Sequence, residues 1–177
     1  MASTEHGPVL TSPTFSDAPK VLIVAAPFYR DIADNLIAGA QAALEAGGCR
    51  HELVEVPGAL EIPTAIRLAE GHFEGFVALG CVIRGETTHY ETVCNDSSRA
   101  LTLLGVERRI CLGNGVLTVE YRAQAEVRAD PARMNKGGGA AEAALHLMAL
   151  ARRFRGGSTG GGASGDSTIM ATGGDLV

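Results

Sequence analysis

The sequence predicts an α/β fold, a parallel sheet held between layers of helices, and three observations carry that prediction. Apolar runs recur along the chain: Val21–Ala26 (VLIVAA), Gly75–Ile83 (GFVALGCVI) and Arg109–Leu117 (RICLGNGVL). Such near-continuous hydrophobicity marks strands covered on both faces. Stretches with helical spacing separate the runs, and strands alternating with helices fold as a sheet with right-handed crossovers. The chain has 177 residues, 46% hydrophobic and 20% charged, enough for one packed domain at roughly 100–200 residues per domain.

In chain order, residues 1–19 are rich in Ser, Thr and Pro without any period and read as a flexible N-terminal extension. Val21–Ala26 is the first strand. Asp31–Ala46 follows as a helix, with Ile32, Leu36, Ile37, Ala40 and Leu44 along one face and Gly47-Gly48 as its stop. A strand near His51–Val56 ends at Pro57-Gly58. A helix from about Leu60 to Glu70 accommodates Pro63 only in its first turn. Gly75–Ile83 is the third strand, His89–Leu104 a helix, and Arg109–Leu117 the fourth strand. Helical stretches at Glu120–Ala129 and about Gly139–Phe154 complete a folded unit spanning 20–155. Residues 156–177 carry eight glycines and read as a flexible Gly/Ser-rich tail.

Composition narrows the function. A net charge of −5 and a pI near 5.5 argue against nucleic acid as a partner, because phosphate backbones demand a surplus of Lys and Arg. No window approaches the roughly 18–20 apolar residues of a membrane span, and the first twenty residues lack the apolar core of a signal peptide. A cytoplasmic protein is expected. Cys49, Cys81, Cys94 and Cys111 form no CxxC pair, so reduced structural thiols and no metal are expected. Cys94 lies five residues after His89, roughly 140° around a helix, which disfavours a shared ligand set. His51, His72 and His146 lack ligand-spaced neighbours and read as surface or packing residues.

In open parallel sheets, ligands bind beyond the carboxyl ends of the strands. This selects Pro27–Arg30, Pro57–Pro63, Arg84–Glu91 and the Gly113–Val119 region. In RGETTHYE (84–91), Thr88 and Glu91 fit a capping box, which starts a helix at His89. The unpaired N–H groups of that start make Glu86-Thr87-Thr88 a candidate phosphate cradle, or simply an ordinary helix cap. His89, at the first helical position, suits proton transfer at a carbonyl or amine. Pro57-Gly58 turns the chain sharply and brings backbone N–H groups towards a planar ligand. Glu61 in the next turn is placed either to accept hydrogen bonds from a polar chain or to balance the helix dipole. Phe28 offers a ring for stacking or for loop packing. Arg128 and Lys136 bring two cations near the end of the fold, as a phosphate clamp or a solvated face. Asn135 is placed to cap a helix opening with Gly137–Gly139, where close backbone approach is possible, as at a subunit contact.

Together these segments resemble the lumazine synthase family over about 20–155. The resemblance rests on VPGALEIP (56–63), LGCVIRGETTHYETVCN (79–95), GNGVLTVE (113–120) and NKGGGAA (135–141), in matching order and spacing. It implies a flavodoxin-like three-layer α/β/α sandwich with strand order 2-1-3-4, assembled as homopentamers with active sites between adjacent subunits. The implied reaction condenses 5-amino-6-(D-ribitylamino)uracil with 3,4-dihydroxy-2-butanone 4-phosphate, giving 6,7-dimethyl-8-ribityllumazine, phosphate and water without a cofactor. The alternative is a catalytically weak homologue that binds riboflavin.

The resemblance also distributes roles. Phe28 would stack on the pyrimidine. Gly58, Ala59, Leu60 and Glu61, with Cys81, Val82 and Ile83, would hold the uracil and ribityl groups. Glu86 and Thr87 would bind phosphate, with Arg128 from the adjacent chain and Lys136 as a supporting charge. His89 would shuttle protons. Asn114 stands where many family members carry an aromatic, so a neighbour's part in the ring pocket is altered. The stretch ADPARM (129–134) lacks the glycine-containing kink shared by sixty-subunit shells, and a free pentamer is expected.

Overall fold

The computed structural model describes residues 10–156. The expected tail, apart from Gly156, and residues 1–9 of the expected extension lie outside the described residues. The elements run β1 (Lys20–Ala26), α1 (Arg30–Ala46), β2 (Arg50–Glu55), a 3-10 turn (Ala59–Glu61), α2 (Ile62–Leu68), β3 (Gly75–Ile83), α3 (His89–Arg108), β4 (Cys111–Val119), α4 (Arg122–Ala129) and α5 (Lys136–Gly156). The strands form one parallel sheet in the order β2-β1-β3-β4, the flavodoxin-like order anticipated above.

The pleat explains how one apolar run serves two cores. Val21, Ile23 and Ala25 of β1 face a cluster built with α1, α4 and α5. Leu22, Val24 and Ala26 face a second cluster built with α2 and α3. β1 is buried throughout save Lys20 at its start, and β3 from Gly75 to Cys81, as central strands must be. The edge strand β4 alternates, burying Cys111, Gly113, Gly115, Leu117 and Val119 while exposing Asn114 and Thr118.

Several boundaries differ from the sequence expectation. α3 runs to Arg108, and Arg109 then turns left-handed at φ 55°, so β4 starts at Cys111 rather than Arg109. β4 also continues to Val119, which places Gly113–Val119 inside a strand and not in a loop. The helix expected from Leu60 is a 3-10 turn followed by α2, whose first turn holds Pro63. α5 begins at Lys136, ahead of the glycines, because Asn135 caps it: Oδ1 accepts the Gly138 N–H at 3.1 Å.

The close approach allowed by that glycine run is made, at Gly137, within the chain. A Cβ on Gly137 would lie 2.0 Å from the Leu36 carbonyl oxygen of α1, and one on Gly113 1.8 Å from that of Ala140. β4, α5 and α1 therefore pack backbone to backbone. Ahead of β1, Phe15 packs on the α1/α5 core and its N–H donates to Gly47 O at 2.9 Å. The Arg152 guanidinium lies 4.8 Å from the Phe15 ring centroid and forks onto Asp17, with Glu74 on its other side.

Candidate active site

Where β1 and β3 end side by side, a cavity of about 450 Å³ opens. β1 leads into Phe28 and Tyr29, whose rings meet edge to face with centroids 5.0 Å apart. Phe28 is 75% exposed, so its ring is not spent on the core. The turn after β2 supplies Gly58, Ala59, Leu60 and Glu61, and the end of β3 supplies Cys81, Val82 and Ile83. Thr87 and His89 close the remaining side. The residues brought together thus come from three separate βα junctions, all at the carboxyl end of the sheet.

Helix α3 begins at His89, so the imidazole stands at the positive end of a twenty-residue helix. The residue is exposed, and its ring makes no hydrogen bond among the described residues. The capping box expected from Thr88 and Glu91 does not form. Thr88 is already helical (φ −68°, ψ −2°) and its side chain caps nothing. The Thr87 hydroxyl instead accepts the His89 N–H at 3.4 Å. The Glu91 carboxylate turns away to the Arg84 guanidinium, whose hydrogen bond holds its carboxyl below the usual range. A charged partner outcompetes a single backbone N–H.

Cys81 is the one thiol lining the cavity, and burial pushes it up to about 11. Burial disfavours the thiolate, so the group stands as a thiol at neutral pH. Iodoacetamide should accordingly label Cys81 about tenfold more slowly than free cysteine, because the thiolate is scarcer though somewhat more nucleophilic. Digestion and mass spectrometry would follow this, and labelling at the free rate would contradict the assigned burial.

The remaining expected site residues do not line the cavity of this single chain. Glu86 is exposed in the loop before α3. Asn114 sits mid-strand on β4, its Oδ1 accepting the Val116 N–H at 3.0 Å. Arg128 closes α4 and donates to Gln124 O at 3.0 Å, and Lys136 opens α5. For Arg128 and Lys136 the reason is topological: α4 and α5 cover the opposite face of the sheet from α2 and α3. Sequence reasoning in turn missed Tyr29, Tyr90 and Val93, which do line the cavity. Their signal was adjacency to Phe28 and the i, i+4 spacing of His89 and Val93.

A larger cavity, about 680 Å³, lies at the other end of the sheet between the ends of α3 and α5. Its acids are already engaged, Glu70 by Arg67 and Arg108 and Glu74 by Arg152, and no histidine lines it. Among the described residues no group of His, Cys, Asp or Glu is arranged to hold a metal, and no helix is long and apolar enough to cross a membrane.

The 6,7-dimethyl-8-ribityllumazine synthase family model matches residues 18–152. A 6,7-dimethyl-8-ribityllumazine synthase of Jannaschia sp. is 57% identical over 144 residues, covering 80% of each chain. Proteins of the same name from Methylobacterium radiotolerans (56%, 84% of this chain and 91% of the relative) and Nitrobacter winogradskyi (49%, 87% and 98%) are also similar.

Proposed function

Because the chain belongs to the 6,7-dimethyl-8-ribityllumazine synthase family and is a transferase of riboflavin biosynthesis, we propose that the cavity at the ends of β1 and β3 is where its two substrates meet. One observation carries the reading: an exposed aromatic ring, a polar turn and a histidine at a helix N-terminus converge there. The ring of Phe28 stacks on the flat uracil. Backbone groups of Gly58–Leu60 and Cys81–Ile83 and the Glu61 carboxylate hold its edge and the ribityl chain. Glu86 and Thr87, at the mouth of α3, receive the phosphate of the butanone through backbone N–H groups and the helix dipole.

The chemistry then needs little more than placement and proton movement. The substrate's own amine attacks the ketone, water leaves to give the imine, phosphate is eliminated, and the ring closes with loss of a second water. His89 takes and returns protons along this course. No enzyme amine or cofactor is required, which fits a chain with only Lys20 and Lys136. The free thiols Cys49, Cys81, Cys94 and Cys111 suit a reducing compartment, and we place the reaction in the cytoplasm. The direct test follows product absorbance with both substrates. A rate above the spontaneous condensation supports the reading, whereas tight riboflavin binding without turnover would replace it.

Arg128, Lys136 and Asn114 lie away from their own chain's cavity, which supports a homopentamer in which a neighbour completes each site. Arg128 then clamps the phosphate across the interface, with Lys136 as a nearby charge. His89→Ala and Arg128→Met should each be poor alone, while their co-assembled mixture recovers activity. At equal amounts about a quarter of sites pair both intact residues across a heterologous contact. No recovery would mean that each chain builds its own site. Sedimentation of the unmixed protein as a sixty-chain shell would overturn the free pentamer.

A further inference from the structure

Gly85–Thr88, the segment that carries the phosphate loop, has little holding it. A Cβ added at Gly85 would meet nothing within 4 Å, and the local bonds are weak: His89 N–H to Thr87 Oγ1 at 3.4 Å and Glu91 N–H to Thr88 O at 3.1 Å. A loop so free would let the first turn of α3 shift against the sheet. The residue before it prevents this. The Arg84 N–H donates to Val119 O at 2.9 Å, tying the end of β3 to the end of β4. Its Nε donates to Glu120 Oε2 at 2.6 Å, its Nη1 donates to Glu91, and its guanidinium stands 4.2 Å from the Tyr90 ring centroid.

We infer that Arg84 is a positioning residue, a strut that fixes His89 and the phosphate loop by joining the first turn of α3 to the end of β4. Tyr90 and Glu91, the residues it grips, directly follow His89, so their placement sets that of the imidazole. Arg84 does not line the cavity, and its donors are directed to two carboxylates, which separates this role from direct binding of phosphate. A planar fork is required, because one ammonium cannot serve two carboxylates and an aromatic face together. The inference rests on the function proposed above.

The test compares Arg84→Lys, Arg84→Met and Glu91→Gln. Arg84→Lys should raise KM for the phosphorylated ketone and lower kcat, each about tenfold, since small misplacement of reacting groups is costly. KM for the aminouracil, held by Phe28 and the 57–61 turn, should stay within about twofold of wild type. Adding Glu91→Gln to Arg84→Met should cost little more than Arg84→Met alone, as for residues acting through one contact. Inorganic phosphate, titrated against the protein, should bind about tenfold more weakly to Arg84→Lys even without turnover. Should Arg84→Met fail to fold, Arg84→Lys and Glu91→Gln alone decide. The inference falls if Arg84→Lys keeps wild-type constants and phosphate affinity, or if the two substitutions add fully. If the wild type shows no turnover above the spontaneous rate, the proposed function fails, and phosphate binding still judges the strut.

Discussion

His89→Ala lowers kcat by about a hundredfold, the lower end of the 10²–10⁴ range for a general acid–base group. The low end is expected because both reacting functions, amine and ketone, belong to the substrates. Once Phe28 and the phosphate loop hold them together, much of the barrier falls through proximity alone. The variant should fold as well as wild type: His89 is exposed and its ring bonds to nothing among the described residues, and such surface changes stay within about 0.5 kcal/mol. KM for both substrates should change little, since an interaction made only in the transition state appears in kcat. A variant with wild-type kcat would move proton transfer to another group or to water.

The legible parts of the fold were those set by local pattern. VLIVAA and GFVALGCVI could be buried only in the middle of a sheet, and β1 and β3 lie there. His89 at the start of α3 was read from the Thr88–Glu91 spacing, which marks the right boundary although the capping box itself does not form. What local pattern could not show was competition from a side chain on another element. Thr88 and Glu91 have the spacing of a capping box, yet Glu91 is taken by Arg84, which reaches it from the end of β3 while also holding Glu120, 36 residues away. The start of β4 was misplaced because Arg109, a charged residue with a Cβ, adopts the left-handed turn usually left to glycine. Arg128, Lys136 and Asn114 line neither of the two cavities described above. Intrachain periodicity carries no signal for residues whose proposed task lies across a subunit boundary.

The glycines that open α5 give the second large effect, and its sign is decided by magnitudes that oppose each other. Helix propensity favours Gly→Ala by about 0.8–1.0 kcal/mol, so a helix beginning Lys-Gly-Gly-Gly looks improvable at each position. At Gly137 the packing reverses this. The new methyl would sit 2.0 Å from the Leu36 carbonyl oxygen and 2.7 Å from its carbon, atoms of the α1 backbone that cannot rotate away. Relief requires α5 to move off α1, and the Leu36 side chain, fully buried in the same cluster, would move with it. Overpacking of this kind typically costs about 1–3 kcal/mol and more where backbone resists. A net loss of up to about 2 kcal/mol is therefore expected for Gly137→Ala, lowering Tm by as much as roughly 4–8 °C at this chain length. Gly139 supplies the control in the same helical turn: nothing lies within 4 Å of its added Cβ, the residue is exposed, and propensity alone acts. Gly139→Ala should raise Tm by about 2–4 °C. Opposite shifts from one substitution, two residues apart, would tie the glycine run to the α1–α5 contact. Equal shifts in calorimetry would mean that α5 is free to adjust, and that the backbone contact is not what demands glycine at 137.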